Sequence, residues 1–270
     1  MTFFSRWRKE ALKLVTYRTT KWLGRQHSAL QSRFDSRGMD VLSCIVSYNK
    51  YGAYCVPSSS SHRPAAQAIL LGLVYEPDTI DYILANCKEG DIIQAGAYFG
   101  DFLPALSESC GENAKIWSFE PSSENYRCAR ITLELNGIEN VELHNIGLGS
   151  EESEVDLRIR GGDGYASGGG SMIMDSSSSE GSFEKVTIRP IDEVIGDERK
   201  VSVIQLDVEG YEINALSGGI KTISRCKPML IIEVHPGSET LESPWFKENI
   251  LGLGYVQVGV LYNNLVFSAD

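Results

Sequence analysis

Three residues near the carboxyl ends of two apolar runs could move a proton. Asp207 and Glu209 follow Val201–Leu206, two positions apart, and His235 follows Met229–Val234. If the first run stays extended through Val208, both carboxylates point to one face. If Gly210 starts the turn earlier, both lie in a loop. Either arrangement puts an acid beside a place where a hydroxyl could lose its proton. His235, with an ordinary pKa near neutrality, is the competing base; a histidine before the turn-forming Pro236 has an equally good structural reading. Asp207, Glu209 and Glu233 also offer the oxygen ligands that Mg²⁺ prefers. A strand-end carboxylate cluster is not in itself a metal signature, so no metal ligand is assigned and metal dependence stays open.

A second constellation is Asp91-Ile-Ile-Gln-Ala-Gly-Ala-Tyr-Phe-Gly100, an apolar strand that breaks at Gly96 and runs into the periodic segment Asp101–Ser109. A strand that turns through glycine into a helix is the ligand-binding corner of open α/β sheets. Gly96 permits backbone angles that other residues resist, and Gly100 lets the helix start close to a ligand. The dinucleotide fingerprint needs a second glycine where a pyrophosphate passes. Here that position is Tyr98, and the third is Asp101, an anion that would face an anion. The phosphate-loop Gly-Lys-Ser/Thr pattern is absent. The corner therefore suits a cofactor with an adenosine but no phosphate. Glu120 follows Gly100 by 20 residues, where an acid accepts both ribose hydroxyls, and Pro121 fixes the turn after it. Asn145 is placed to contact the adenine edge or simply to form a turn.

The elements that must hold these residues alternate in period. Lys115–Glu120, Val141–Asn145, Val201–Leu206 and Met229–Val234 read as strands, the last two rich in Val, Ile and Leu as when both faces are covered. Ser122–Leu135 and Tyr211–Ser217 read as helices between them. Such alternation predicts right-handed crossovers and a mostly parallel, doubly wound α/β sheet. The end differs: Tyr255–Val260 and Leu265–Ser268 predict a C-terminal antiparallel hairpin. Before the corner, Ala65–Leu73 and Pro77–Cys87 read as helices, with Glu76 just ahead of the second. Residues 41–64 read as an accessory strand or two and a flexible loop ending in His62 and Arg63, residues that could reach a ligand or lie in a solvated turn. Between Val155–Ile159 and Lys185–Ile188 lies the glycine- and serine-rich stretch 161–179. It is either a disordered connector or a lid with Tyr165, Met172 and Met174 as its contacts.

The chain thus divides into a basic arm (1–40), a lead-in (41–90) and a Rossmann-like domain (91–270). Phe4, Trp7, Ala11 and Leu14 recur at helical spacing, so residues 3–23 predict a basic amphipathic helix. Packing on the body or on a second copy is its favoured role, and contact with a membrane surface is the alternative. Residues 1–35 carry eight Lys/Arg against Glu10 and Asp35, so of the net charge of −11 the remainder holds −17. An acidic body argues against nucleic acid as a partner. Six scattered cysteines without C-x-x-C pairs read as reduced thiols, which points to the cytoplasm.

Four blocks carry a resemblance. Gly96-Ala-Tyr-Phe-Gly100, Phe119-Glu120-Pro121, Leu135-Asn136 and Leu206-Asp-Val-Glu-Gly-Tyr-Glu212 resemble the FkbM-type methyltransferases in order and spacing, over about residues 75–235. The resemblance implies a class I methyltransferase fold, S-adenosylmethionine as donor with S-adenosylhomocysteine as product, and most often a hydroxyl as acceptor. Together with the residue readings above, it gives the expected cofactor contacts as Gln94, Gly96, Tyr98, Gly100, Asp101, Glu120, Pro121, Asn145 and Asp207. The family usually has Asp where this chain has Gln94, and Asn where it has Tyr98. An amide cannot ion-pair with the donor's ammonium group, so Glu76 or Asp101 would supply that charge. The expected activity is O-methylation of a small molecule or glycan, as in natural-product or cell-surface sugar modification. The rival is a non-catalytic nucleotide-binding or scaffold module with a decayed site, for which Gln94 is the hint.

Overall fold

The structure is a computed structural model, and it describes residues 41–269 apart from 88, 109–110, 112, 163–164, 175–179, 236 and 239. The expected amphipathic helix over residues 3–23 lies outside the described residues.

The chain enters through an antiparallel hairpin, β1 (Cys44–Asn49) and β2 (Gly52–Pro57). Where the alternation stops at Ser58, the sequence suggests a flexible solvated loop. Ser58–Ser61 are instead buried, in a short 3₁₀ turn that leads to α1 (Pro64–Leu70) and α2 (Pro77–Asn86). Both helices open on proline, whose missing N–H is no loss in a first turn. α1 stops three residues short of the predicted end, because the chain turns at Gly72 with a φ of 73°.

The central sheet has seven strands in the order β12-β13-β11-β10-β3-β4-β5. β3 (Asp91–Ala95), β4 (Ile116–Phe119) and β5 (Val141–His144) run outward on one side. β10 (Val201–Leu206) and β11 (Met229–Glu233) run outward on the other, all parallel, and the hairpin β12 (Val256–Leu261) and β13 (Asn264–Ser268) closes that edge antiparallel. This is the doubly wound architecture the alternation predicts. β3 and β10 are adjacent, so the order reverses between them, and ligands of open α/β sheets bind outside the carboxyl ends at such a reversal.

Each face of β3 and β10 has its own core. Ile93, Ala95, Ile204 and Leu206 pack on one side, and Ile92, Val203 and Ile231 on the other. At roughly 1.5–3 kcal/mol for each large side chain fully buried, these rows anchor the sheet. On the second face the row changes character toward the carboxyl end. Gln205 pairs with Gln94, and both are buried. Beyond them come Asp207 and Glu233. The same two-residue period that builds the core therefore carries four polar groups to the sheet's edge.

Between β5 and β10 the chain builds a second, four-stranded sheet, which the sequence reading does not anticipate. β6 (Gly147–Leu148), β7 (Ser153–Arg160), β8 (Met172–Ile173) and β9 (Ser182–Arg189) order as β6-β9-β7-β8. It holds the chain from Ser167 to Ile173 over the carboxyl edge of the main sheet, with a 3₁₀ turn at Gly168–Gly170.

α3 (Leu103–Ser107) is shorter than the predicted 101–109 and begins two residues later. The chain first makes a tight turn, in which the Gly100 N–H donates to the Ala97 carbonyl at 2.7 Å, so Asp101 lies in a bend ahead of the helix. α4 (Ser123–Asn136) ends on Gly137 in the left-handed conformation, a common helix stop. Its last turns join the hairpin to the glycine corner. Thr132 Oγ1 accepts from the Cys55 N–H at 3.0 Å and donates to the Phe99 carbonyl at 2.8 Å. The Asn136 amide accepts from the Ala53 N–H at 2.9 Å and donates to the Ala53 carbonyl at 2.7 Å. This two-way grip gives the Leu135-Asn136 block a physical role. Asn136→Ala leaves both Ala53 groups without their partner, and a loss of about 1–3 kcal/mol is expected. Urea denaturation measures it; a midpoint equal to wild type would mean that water replaces the grip at no cost.

Helices α5 (Ile191–Val194), α6 (Glu212–Gly218), α7 (Ile220–Cys226) and α8 (Pro244–Asn249), with a 3₁₀ turn at Leu251–Leu253, complete the described elements. Among the described residues no helix is long and apolar enough to cross a membrane. The five described cysteines are free thiols.

Candidate active site

The site is built where the strand order reverses. Gly96 follows β3 at a φ of 88°, and a Cβ there would stand 2.0 Å from the Asp207 carbonyl oxygen. Only a glycine lets the two strand ends approach so closely. Tyr98 then takes a φ of 49°, a costly value for a bulky residue, and the structure shows what holds it there. Its N–H donates to Glu120 Oε2 at 2.7 Å, and its hydroxyl donates to Ser60 Oγ at 2.7 Å. The ring packs against Phe99 with centroids 4.6 Å apart. Much of the Tyr98 side chain is thus spent on the buried cluster under the hairpin.

Two cavities meet at this corner and share Gly96, Gly169, Asp207 and Glu209 as walls. The first, about 210 Å³, is polar and acidic. Glu76, Asp101, Asp207, Glu209 and Glu233 line it with Gln94, Gln205 and Tyr98, and Arg63 stands at its rim. The second is about 40 Å³, far less than a purine nucleoside occupies, and mostly apolar. Phe119, Glu120, Pro121, Ile146 and Leu148 form its floor, while Gly168, Gly169 and Ile173 cover it. A nucleoside seated on that floor must displace this cover.

Of the residues singled out from the sequence, Glu76, Gln94, Gly96, Tyr98, Asp101, Asp207 and Glu209 meet in the first cavity, and Glu120 and Pro121 in the second. Gly100 sits behind the corner against Leu103 and Ala129, at a φ of 81°. Of the two readings of Asn145, the structure shows the turn. Its amide donates to the Glu120 and Pro121 carbonyls at 2.8 and 3.0 Å, fixing the turn, and Ile146 rather than Asn145 faces the cavity. The solvated-turn reading of Arg63 is likewise replaced by a place at the first cavity. Tyr165, Met172 and Met174, expected as lid contacts, line neither cavity; the glycines between them do. Gln205 was missed altogether. It lies two residues before Asp207, so strand alternation alone could have found it.

The acids differ in state. Burial pushes the Asp101 carboxyl up to about 7. Burial also raises Glu76, against hydrogen bonds from Thr79 Oγ1 and Asn264 Nδ2 at 3.0 Å each. Asp207 is raised well above its ordinary value by burial and then by Glu233. Glu120 is raised to about 8 by burial, although the Tyr98 and Ser122 N–H groups and the Asn125 amide all donate to it. Glu209 holds a φ of 51° and reaches His235, whose Nε2 lies 2.8 Å from Glu209 Oε2 and 3.7 Å from Glu233 Oε2. Burial disfavours protonated His235, but the hydrogen bond to Glu209 and the charges of Glu233, Glu209 and Glu212 outweigh it and raise the pKa. The side chain of His235 is 43% exposed against 17% for Glu209, so the pair runs from solvent to the cavity wall.

Glu209, Glu233 and His235 bring one potential ligand atom each to within 4.8 Å of one another. Acids cluster this way without an ion too, and the His235–Glu209 hydrogen bond already uses two of these groups. The cavity fits an organic cation better. Gln205 Oε1 and Asp207 Oδ1 are buried acceptors with no hydrogen-bond partner among the described residues, and both residues line it. A cation bound there would return the raised carboxyls to their ionised form. Binding of such a ligand near pH 7 should therefore release protons, and affinity should rise with pH through the window around 7 set by Asp101. Calorimetry in two buffers of different ionisation enthalpy reads the proton count; no release, or uptake, would contradict the acidic-cavity account.

A family model, the methyltransferase FkbM domain, matches residues 94–248, in agreement with the resemblance carried by the four sequence blocks. Among solved structures the chain is similar to a methyltransferase FkbM from Methylobacillus flagellatus KT, with 21% identity and a TM-score of 0.46. The likeness covers 67% of this chain and 43% of that one, so the chain spans less than half the length of that protein. It is also similar to a SAM dependent methyltransferase from Aquifex aeolicus, at 16% identity and a TM-score of 0.41 over 76% of this chain and 93% of the other. A Pyrococcus abyssi tRNA (uracil-54, C5)-methyltransferase in complex with S-adenosyl-L-homocysteine shares 10% identity and a TM-score of 0.43, over 83% of this chain and 43% of its own. No curated protein matches the chain.

Proposed function

The chain belongs to the FkbM methyltransferase family, whose donor is S-adenosylmethionine, and from that premise we propose that it methylates a hydroxyl of a small molecule or glycan. The observation that carries the choice of oxygen is the Glu209–His235 pair. A sulfonium methyl is already activated, so a hydroxyl acceptor needs alignment and a group to take its proton. Glu209 lines both cavities and keeps Oε1 beside Gly170, while Oε2 is bonded to His235. In this reading Glu209 is the proton acceptor and His235 is a positioning residue that passes the charge toward solvent. Asp207, whose buried Oδ1 has no hydrogen-bond partner among the described residues, serves the donor in this reading and not the acceptor's proton. Alignment supplies much of such a rate, about 7–11 kcal/mol in favourable cases.

The donor's adenosine belongs on the floor formed by Phe119, Glu120, Pro121 and Ile146, and its amino-acid end in the acidic cavity. Glu76 and Asp101 stand ready for the ammonium group that Gln94 cannot ion-pair. Gln94 is not a sign of decay: it accepts from Ser118 Oγ at 2.6 Å and donates to the Gly96 carbonyl at 3.1 Å, so it shapes the corner. The scaffold alternative therefore loses its hint. The test is incubation with methyl-labelled donor and extracts of the host, followed by mass spectrometry of the labelled product. A methyl ether supports the reading; label on carbon or nitrogen overturns the choice of oxygen.

A further inference from the structure

The donor's amino-acid end carries a carboxylate as well as an ammonium group, and the acidic cavity offers that carboxylate one partner. Among the described lining residues five are acids and Arg63 is the single cation. We propose that Arg63 is the carboxylate clamp of the donor site, so that a residue outside the family-matched domain completes cofactor recognition. The assignment rests on the reading of this cavity as the donor's amino-acid end.

The guanidinium is poised without being used. Its backbone is fixed, since the Arg63 N–H donates to the Ser60 carbonyl and its own carbonyl accepts from the Gln67 N–H, both at 2.9 Å. Its head makes no hydrogen bond or ion pair among the described residues, although it lines a cavity of five acids. A Cβ on Gly170 would stand 1.9 Å from Arg63 Nη2 and 3.3 Å from Glu209 Oε1, so the guanidinium lies against a position that only glycine can fill. The glycine strap cannot carry a side chain there, and among the described residues no acid of the cavity forms an ion pair with the guanidinium.

A five-donor planar head that makes no ion pair with the cavity's described acids suits a two-oxygen anion delivered from the cavity. A phosphate or carboxylate on the acceptor could supply the same chemistry. The donor is favoured because its combination of two cationic centres and one anion matches a wall of five acids and one arginine. An anionic acceptor would meet the same five acids with no cation of its own.

The test compares the full chain, Arg63→Met and Arg63→Lys by calorimetry with S-adenosylhomocysteine and with its decarboxylated analogue. The wild type should bind the analogue about tenfold to a hundredfold more weakly, as expected for losing charge-assisted hydrogen bonds. Arg63→Met should bind S-adenosylhomocysteine weaker by a similar factor and no longer distinguish the two ligands. Arg63→Lys, which keeps the charge and loses the fork, should fall between them. If Arg63→Met keeps both the affinity and the discrimination, the clamp is overturned. Unchanged donor binding with a raised KM for an anionic acceptor would overturn it in favour of the acceptor. A wild type that fails to bind S-adenosylhomocysteine would remove the donor-site reading itself, and the proposal with it.

Discussion

Glu209→Gln should fold, bind S-adenosylhomocysteine and lose turnover by about 10²–10⁴-fold, the factor a missing general base costs. The amide keeps the shape of the side chain, so the hydrogen bond to His235 Nε2 can persist with the histidine as donor, and the left-handed backbone at Glu209 is undisturbed. What disappears is the capacity to accept a proton at the cavity wall. Asp207→Asn is the contrast. Asp207 is assigned to the donor and not to the acceptor's proton, so at saturating donor this variant should turn over within a few-fold of wild type, while donor affinity falls. His235→Ala should sit between the two and shift the pH–rate profile, because the histidine acts through Glu209 and its own raised pKa sets when the pair is charged. Rate measurements across pH 5–9 with a methylatable acceptor separate these cases. If Glu209→Gln turns over normally while His235→Ala is dead, the base is His235; if all three are active, alignment alone carries the reaction.

How much of this was legible in the sequence follows from which physical signal each part uses. The parallel sheet was readable because strands buried on both faces leave continuous Val/Ile/Leu runs, as in Val201–Leu206. The corner at Gly96 was readable because an unusual backbone demands glycine. The closing hairpin, β12 and β13, was readable because too few residues separate its strands for a crossover. The second sheet was not. Its strands flank a glycine- and serine-rich stretch whose composition says nothing of pairing, and β6 and β8 are two residues each.

Nor was the seating of Ser58–Arg63. A run of four serines reads as solvated, yet here tertiary partners satisfy it: Ser60 accepts from Tyr98, and Ser59 donates to Glu124 Oε2 at 2.7 Å. Such contacts span tens of residues and leave no local pattern. Asn145 shows the converse. The sequence leaves it open between a ligand contact and a turn, and the choice falls to the turn because its amide meets the Glu120 and Pro121 carbonyls, partners 25 and 24 residues away.

Replacement of Glu120 should be the most disruptive single change at the donor site, and for a reason beyond contact with ribose. Its two carboxylate oxygens each accept a backbone N–H, from Tyr98 at 2.7 Å and from Ser122 at 2.9 Å, in a buried setting. Glutamine has one oxygen to offer, so in Glu120→Gln one of these N–H groups faces an NH₂. Alanine leaves both unpaired. A buried unsatisfied donor costs about 1–3 kcal/mol, and the Tyr98 N–H belongs to the residue held at a φ of 49°. Once released, the corner should relax and the ribose acceptor is gone at the same step. Both variants should therefore bind S-adenosylhomocysteine about tenfold to a hundredfold more weakly and melt at a lower temperature, with alanine the worse of the two. Wild type should not bind NAD tightly, since Tyr98 and Asp101 stand where a pyrophosphate would lie. An unchanged melting point with weakened binding would mean that Glu120 serves the ribose alone. Unchanged binding would remove Glu120 from the donor site, and tight binding of NAD by the wild type would overturn the reading of the corner as closed to a pyrophosphate.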